Sequence, residues 1–406
     1  MTVTVYRSTD AGAPPLDGTA GSFVDVLDWC LVSGAPTPAG WTIEFTSGDL
    51  RSYRQGSLTV TAVVTGLGGT WTVSGNHEES FYEGLRIHIE GDTGGGDGVY
   101  TTVSATNNGA NTDIVVSQTI PGGSAADGVL FSNNSLYFGV DDSGTTLARI
   151  RGFETMTAAG VSVASGTGPF PTDAQTSGGS YISKSQNATS DPRAWTVIAD
   201  DRAFYIWINR FANYGDINYS GGPIGSAQFG ANFFGDIYQP VELVTIPDDY
   251  ATLIMTEANG SGSGSRIGEN SINTGAALLG HFLARSYTQA GTSQATDKNA
   301  WNFFAQDTWL GGGAGYAMFP NLTNGKIPFM RVYCLDGGGT NIMRGLIPGM
   351  WSGAQHRFIE QQGVQLSFTP SNPVTFGPLD GKTLESFVDS VSNSQFFVEV
   401  SNTWYS

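Results

Sequence analysis

The sequence is poor in positive charge. Its 406 residues include 18 Lys and Arg against 36 Asp and Glu, which gives a formal net charge of −18. A surface of that sign repels the phosphate backbone of nucleic acids unless a local basic patch offsets it. The densest basic stretch contains only Arg149 and Arg151. We therefore expect no nucleic acid among the partners of this chain.

Cysteine is almost absent. The two cysteines, Cys30 and Cys334, lie far apart, and neither belongs to a CxxC motif. This count excludes a disulfide framework. Cys30 falls on the apolar face of a predicted helix and Cys334 in an apolar strand, so we interpret both as small core residues.

Long apolar runs are also missing. No run approaches the roughly 18 residues that a membrane-spanning helix needs, so we expect no membrane insertion. The N-terminal stretch MTVTVYRSTD has no basic region followed by an apolar run. The sequence therefore predicts no signal peptide.

Metal-binding residues are too few to predict a metal centre. The sequence has four histidines: His77, His88, His281 and His356. They lack the spacing with which about three or four ligands converge on one metal ion. The stretch DTGGGDG at residues 92–98 faintly resembles a calcium-binding turn. It supplies two carboxylates, however, whereas calcium takes about six to eight oxygens. We interpret it as a hairpin loop and expect no metal or other cofactor.

Glycine and aromatic residues are abundant. Glycine accounts for 56 residues, about twice the usual share, and Phe, Trp and Tyr make up 12%. Glycine suits many tight turns, and the aromatic residues give the chain enough apolar surface to bury. The composition indicates a folded protein built from many short strands.

A hairpin at residues 136–151 is the clearest local pattern. Leu136, Phe138 and Val140 alternate with other residues, as a half-buried strand does. The turn formers at 141–144 follow, and a second alternating stretch covers 147–151. The rest of the chain is organised around this hairpin.

One short helix is predicted near the N-terminus. Ser22 is placed to cap it and Asp25 occupies its third position. Apolar residues then recur at helical spacing: Phe23, Val26, Leu27, Cys30 and Leu31. Gly34 marks its end.

Residues 66–128 are predicted to form an inserted domain. The stretch contains four or five short strands with a turn roughly every 8 to 12 residues, the pattern of a small barrel or sandwich. The residues that alternate toward one core are Trp71, Val73, Leu85, Ile87, Ile89, Val99, Thr101, Val103, Ile114 and Val116.

The domain prediction follows from that insertion. Residues 1–65 form the first part of a discontinuous β body, 66–128 the insert, and 129–406 the remainder of the body. The predicted fold class is mainly β: a β-sandwich or barrel-like body with one short N-terminal helix and a small inserted β-domain.

Three pairs of adjacent carboxylates are candidates for acid–base chemistry: Asp141-Asp142, Asp200-Asp201 and Asp248-Asp249. Two such groups are what glycoside hydrolysis requires. All three pairs fall at predicted turns, where Asp commonly accepts hydrogen bonds from its own backbone. The turn at residues 200–202 belongs to a second predicted hairpin, which covers residues 195–208. No G-x-S-x-G motif follows a strand and opens a helix. We therefore expect no catalytic residues and no enzymatic activity.

An aromatic cluster at 301–319 is the remaining candidate for binding. It contains Trp301, Phe303, Phe304, Trp309, Tyr316 and Phe319 among glycines. Aromatic rings are enriched in cores and subunit interfaces, and we interpret the cluster in that way. The alternative is a glycan-binding site that stacks sugar rings on Trp301, Trp309 and Tyr316.

Several distinctive passages lie outside the predicted insert. They are VYRSTDAGAPPLDGTAGSFVDVLDWCLV with GW at 40–41 and YRQG at 53–56, the hairpin LYFGVDDSGTTLARIRGFETM, GTGPFPT at 166–172, RAWTVIADDRAFYIWI, FFGDI at 233–237, RGLIPGMW at 344–351 and the terminal FFVEVSNTW. In combination they resemble a family of virion structural proteins of tailed bacteriophages, over most of residues 3–65 and 130–404. The segment 66–128 looks like a small β module found as an insert or repeat in other phage proteins.

The resemblance implies a place in a virion, assembled in the cytoplasm of the bacterial host. The family has no assigned catalytic residues, so none is carried over to this chain. The implied partners are further copies of the chain and neighbouring head or tail subunits, which would cover strand edges and the aromatic cluster. Two other functions stay open: a receptor- or glycan-binding appendage, and a polysaccharide depolymerase.

Overall fold

The fold is that of a computed structural model. It describes residues 2–132, 136–173, 177–185, 187–209, 229–238, 252–257, 279–283, 300–302, 330–336, 342–352, 366–368, 382–388, 395–401 and 404–405. Within these ranges the chain is mainly β with one short α-helix near the N-terminus. The predicted β-rich body with a small barrel is confirmed.

The elements follow one another as short strands. Up to the barrel they are β1 Thr4–Arg7, α1 Ser22–Leu27, a π-helical turn Asp28–Val32, β2 Thr42–Ser47 and β3 Leu50–Arg54. The barrel region holds β4 Ser57–Val64, β5 Gly66–Leu67, β6 Thr70–Ser74, a 3-10 turn Glu78–Ser80, β7 Arg86–Glu90, β8 Gly98–Asn108, β9 Asn111–Val116, β10 Thr119–Ile120 and β11 Val129–Ser132.

The remaining elements return to the body. They are β12 Tyr137–Asp141, β13 Leu147–Phe153, β14 Thr155–Met156, a 3-10 turn Val163–Ser165, β15 Gly166–Thr167, β16 Ser180–Ser183, β17 Trp195–Ala199, β18 Ala203–Asn209, β19 Phe229–Asp236, β20 Thr252–Glu257 and β21 Leu279–Leu283. The last described strands are β22 Ala300–Asn302, β23 Met330–Asp336, β24 Ile342–Ser352, β25 Leu366–Phe368, β26 Leu384–Val388 and β27 Gln395–Glu399.

An antiparallel sheet of eleven described strands forms the centre of the body. Its order is β1-β17-β18-β19-β20-β16-β13-β12-β3-β2, with β21 also paired to β20. The predicted hairpin at 136–151 is confirmed as β12 and β13, which pair from Tyr137 with Phe153 to Asp141 with Arg149. The predicted hairpin at 195–208 is likewise confirmed as β17 and β18.

The helix covers one face of this sheet. The core there contains Phe23, Val26, Leu27 and Cys30 from the helical segment, and the sheet contributes Phe138, Val140, Ile150, Val197, Phe204, Ile206 and Phe234. Cys30 is fully buried, as predicted for a core residue. None of the helices in the described ranges has the length and apolar character to cross a membrane.

The predicted Ser22 cap is wrong. The residue before the helix is Gly21, with φ of 85°, and Ser22 is the first helical residue. The Ser22 hydroxyl donates backward to the carbonyl oxygens of Asp17 and Thr19. The first N–H groups of a helix have no acceptor within the helix. Those of Phe23 and Val24 instead donate to the carboxylate of Asp142, which lies too far away in the sequence for a local pattern to indicate it.

The sheet's other face packs against a second sheet near the C-terminus. That sheet has the order β22-β23-β24-β27-β26-β25. The core between them contains Ile198, Tyr205, Phe233, Leu253 and Met255 from the central sheet, and Val332, Ile347, Met350, Val398, Trp404 and Tyr405 from the C-terminal part. The described body is thus layered as helix, sheet and sheet.

The barrel is closed and has six strands, in the order β11-β4-β6-β9-β8-β7. Residues 66–128, the predicted insert, contribute β6, β7, β8 and β9. The strands β4 and β11 lie directly outside these boundaries. The division of the chain at 65/66 and 128/129 stays a prediction.

Most of the predicted barrel core is observed. Trp71, Val73, Ile87, Ile89, Ile114 and Val116 are fully buried. Val99 and Val103 were expected in the core but are 37% and 44% exposed, and Tyr100 and Thr102 are buried in their place. Alternation fixes which residues share a face of a strand, but it does not say which face is inside when both carry apolar residues.

Candidate functional site

The turn between β17 and β18 places three consecutive charged residues in the interior. Asp200, Asp201 and Arg202 are 1%, 9% and 0% exposed. Oδ1 of Asp200 accepts the backbone N–H groups of Arg202 at 2.9 Å and Ala203 at 2.8 Å. The predicted turn-forming role of the Asp200-Asp201 pair is confirmed for Asp200 by these two bonds.

The backbone of this turn receives hydrogen bonds from the N-terminal part of the chain. Nε1 of Trp41 donates to the carbonyl oxygen of Asp200 at 2.8 Å. The backbone N–H of Gly56 donates to the carbonyl oxygen of Asp201 at 2.8 Å. Nε2 of Gln55 donates to the carbonyl oxygen of Arg202 at 2.6 Å. All three carbonyl groups of the turn are therefore bonded to residues far away in sequence.

The Arg202 side chain connects the turn to the barrel and to the C-terminus. Its Nε lies 3.5 Å from Oδ2 of Asp236, and its Nη1 donates to the carbonyl oxygen of Ser80 at 3.5 Å. The guanidinium carbon lies 3.7 Å from the ring centroid of Tyr405. The Tyr405 hydroxyl in turn donates to the carbonyl oxygen of Asp236 at 2.8 Å. We call Asp200, Asp201, Arg202, Asp236 and Tyr405 the junction cluster.

Burial shifts the acid–base behaviour of this cluster. Burial raises the pKa of Asp201 to about 8, and the neighbouring Asp200 charge adds to the rise. Burial likewise raises the pKa of Asp200 to about 6, although the two backbone N–H bonds partly oppose it. One guanidinium faces three carboxyl groups, so a proton on the Asp200-Asp201 pair is favoured at neutral pH.

A second buried charge pair links Asp142 and Lys184. Both side chains are fully buried, and Nζ of Lys184 donates to Oδ1 of Asp142 and to the carbonyl oxygen of Thr19. Oδ2 of Asp142 accepts the helix N–H groups of Phe23 at 2.7 Å and Val24 at 3.2 Å. Burial raises the pKa of Asp142 to about 6 in spite of Lys184. Asp142 therefore caps the helix.

The other predicted turn carboxylates are accounted for in part. Oδ1 of Asp141 accepts the backbone N–H of Ser143 at 3.1 Å and its hydroxyl at 2.6 Å, which confirms a turn-forming role. The Asp248-Asp249 pair lies outside the described residues.

The predicted hairpin loop at 92–98 is confirmed, because it connects the paired strands β7 and β8. Its Asp92 carboxylate accepts the N–H groups of Gly96 and Ala125. Among the histidines, His88 contacts Glu90 at 3.3 Å, and His356 lies outside the described residues. No group of three or more potential metal ligands occurs in the described part of the chain.

The predicted aromatic site falls largely beyond the described ranges. Trp301 lies in β22, opposite Tyr333 of β23. Trp309 and Tyr316 lie outside the described residues. A cleft in the C-terminal part of the described chain is lined by Arg331, Trp351, Lys382, Glu399 and Trp404, among others. Trp351 and Trp404 are only 3% and 4% exposed, so their ring faces are not open for stacking on a sugar.

Sequence patterns indicated only part of the junction cluster. The Asp200-Asp201 pair and its turn could be found from local composition. Asp236 is 34 residues from Arg202, and Tyr405 is 169 residues from Asp236. Nothing near either residue in the sequence indicates that a buried arginine will meet them, because the sheet order brings them together.

The junction cluster and the Asp142–Lys184 pair both connect parts of the chain that are distant in sequence. Each carboxyl group faces a cation or donors of the chain itself, and all these side chains are buried.

The comparisons with known proteins find no family model that matches this chain and no curated protein that is similar to it.

Proposed function

We propose that this chain is a structural component of a tailed-bacteriophage virion. It would serve as a head decoration or fibre, or as a tail, collar or baseplate-associated protein. It would assemble through protein–protein contacts with its own copies and with neighbouring virion subunits, without enzymatic activity. The sequence resemblance over most of residues 3–65 and 130–404 supports the virion setting.

One observation carries the structural role: the junction cluster is enclosed. A glycosidase holds its two carboxyl groups about 5 to 9.5 Å apart on either side of a substrate cleft. Asp200 is 1% exposed and Asp201 9%, and the turn that holds them is bonded to the N-terminal part of the chain. Groups in that position stabilise a fold and do not reach a substrate.

Particle analysis tests the virion proposal directly. An antibody raised against the purified chain is expected to label intact particles of the phage that encodes it, and the chain is expected to band with those particles in a density gradient. The place of the label on head or tail identifies the substructure. Absence of the chain from washed, infectious particles would contradict the proposal.

Glycan binding is the first rival function and is tested separately. Purified chain is applied to a glycan array beside Trp301→Ala and Trp309→Ala variants, with Val163→Ala, an exposed residue elsewhere, as the matched control. Binding that is lost in both tryptophan variants and kept in the control would favour a receptor-binding appendage. We expect no binding by any of the four proteins.

Depolymerase activity is the second rival. Host capsular or cell-wall polysaccharide is incubated with the chain, and new reducing ends are measured. We expect none. Cleavage that disappears on a single Asp→Asn substitution would replace the structural proposal with an enzymatic one.

A further inference from the structure

We propose that the junction cluster is a pH-sensitive lock, which holds the barrel, the central sheet and the C-terminal residues together while the Asp200-Asp201 pair keeps a proton, and loosens when that proton leaves. The inference concerns how the fold responds to pH and does not depend on the proposed virion role.

Three parts of the fold meet at this cluster. The turn itself belongs to the central sheet, Ser80 to the barrel and Tyr405 to the C-terminus, and Arg202 contacts both of the latter. Tyr82 of the barrel also packs edge-on against Tyr238, which follows β19, with ring centroids 5.0 Å apart. A change in the position of Arg202 would therefore alter contacts with all three parts.

The cluster has an excess of acid. Arg202 is the cation within the cluster, and it faces Asp200 and Asp201 of its own turn and Asp236 at the end of β19, while the positive charge of the N-terminal amino group also acts on Asp200 and Asp201. The titratable phenols around it are Tyr82 of the barrel, Tyr205 of β18 and Tyr405 at the C-terminus. Full ionisation of the three carboxyl groups would leave more negative charge inside the protein than Arg202 balances, which is strongly unfavourable.

Asp201 is the carboxyl group least supported by hydrogen bonds. Asp236 accepts the Thr252 hydroxyl at 2.8 Å, and Asp200 accepts two backbone N–H groups. Oδ1 of Asp201 has no hydrogen-bond partner among the residues that the structure describes. A methyl group on Gly56 would lie only 2.7 Å from Cβ of Asp201, so the backbone closes directly over this side chain.

The direction of the pH effect follows from the raised pKa. In the unfolded chain an Asp ionises near pH 4, whereas in the folded protein Asp201 keeps its proton up to about pH 8. Between these values the folded state binds a proton that the unfolded or opened state has lost. Stability therefore falls as the pH rises from about 4 to about 8, and this contribution does not change further above pH 8. Within that window, the loss of one proton increases the equilibrium constant for opening by up to about tenfold for each pH unit.

Unfolding of the full chain at pH 5, 6, 7, 8 and 9 tests the lock. We compare the wild type with Asp201→Asn, which imitates the protonated carboxyl group, and with Asp141→Asn as a control at a half-exposed turn. The unfolding midpoint of Asp201→Asn is expected to exceed that of the wild type by a margin that widens from pH 5 to 8 and is constant from 8 to 9. The control is expected to follow the wild type. Parallel curves for all three proteins would overturn the proposal.

Hydrogen exchange of the wild type provides a test that needs no variant. Protection factors, corrected for intrinsic exchange, are measured between pH 5 and 8 for peptides that cover the turn at 200–203 and the barrel segment at 78–82. We expect protection to fall with rising pH at both, and to stay constant in β9, whose strand partners are β6 and β8 of the barrel. Equal behaviour of all three peptides would contradict the lock, even if Asp201→Asn failed to fold.

Discussion

Arg54 and Tyr137 lie directly opposite each other in the central sheet, as Cα partners of the paired strands β3 and β12. Arg54 is the last residue of the strand that leads into the barrel, and Tyr137 is the first residue of the strand that follows it. The barrel is thus inserted between two neighbouring strands that pair with each other. Insertions are tolerated where the two ends lie close together.

Removal of the barrel is expected to leave the body folded. We predict that replacement of residues 57–135 by Asn-Gly keeps a single cooperative thermal transition, because a tight turn can connect the paired strands. The midpoint should fall, since the Arg202–Ser80 contact is lost. Far-ultraviolet circular dichroism and calorimetry measure both.

The sequence-based deletion of residues 66–128 serves as the comparison. It keeps β4 and β11, which remain paired with each other but lose the rest of the barrel. Val60 and Leu130, 2% and 1% exposed in the intact protein, would then face solvent. We expect this variant to fold but to aggregate more readily. A body that melts without cooperativity after the 57–135 deletion would show that the barrel is needed for folding.

The Asp142–Lys184 pair is expected to behave as one unit. Asp142→Asn leaves the Lys184 charge buried without its counter-charge, so we predict a loss of about 3–5 kcal/mol in the free energy of unfolding. The double variant Asp142→Asn/Lys184→Met should lose less than the sum of the two single variants. Urea unfolding measures the coupling, and Asp141→Asn, at the adjacent turn, should cost less than about 1 kcal/mol. Strict additivity would mean that the two side chains act independently.

The stacking of Arg54 on aromatic rings is expected to contribute more to the free energy of unfolding than its ion pair does. Its guanidinium carbon lies 3.9 Å from the Phe131 centroid and 4.9 Å from that of Tyr137, and it also pairs with the half-exposed Glu90. We predict that Arg54→Ala lowers the free energy of unfolding by about 2 kcal/mol. Glu90→Gln, which keeps the stacked rings, should cost less than about 1 kcal/mol. Equal losses in the two variants would assign the effect to the ion pair.

Gly152 is required where β13 passes Phe170. A methyl group on Gly152 would lie 2.0 Å from Cζ of the buried Phe170 ring, which leaves no room for any side chain. We predict that Gly152→Ala destabilises the protein by about 1–3 kcal/mol. Gly122→Ala, where nothing lies within 4 Å, is the matched control and should leave the thermal midpoint nearly unchanged. A midpoint for Gly152→Ala equal to that of the control would show that the Phe170 ring can move aside.

Local patterns were sufficient wherever the deciding interaction lies within a few residues. The hairpins at 136–151 and 195–208 were predicted because alternation and turn residues are local signals. The helix was predicted from its apolar spacing, but its cap was not, because Asp142 lies 119 residues from Phe23. The orientation of β8 was predicted incorrectly, because both faces of that strand carry apolar residues.

The sequence by itself determined that the chain is mainly β, where several of its turns lie, and that Asp200 and Asp201 sit in one of them. Those features depend on backbone preferences and on the spacing of apolar residues, which act over short distances along the chain. Only the tertiary structure decided that Arg202, Asp236 and Tyr405 enclose that turn and that burial raises the pKa of a carboxyl group there. The reason is physical: burial and the nearness of like charges depend on which distant strands become neighbours, and strand order is a property of the whole fold.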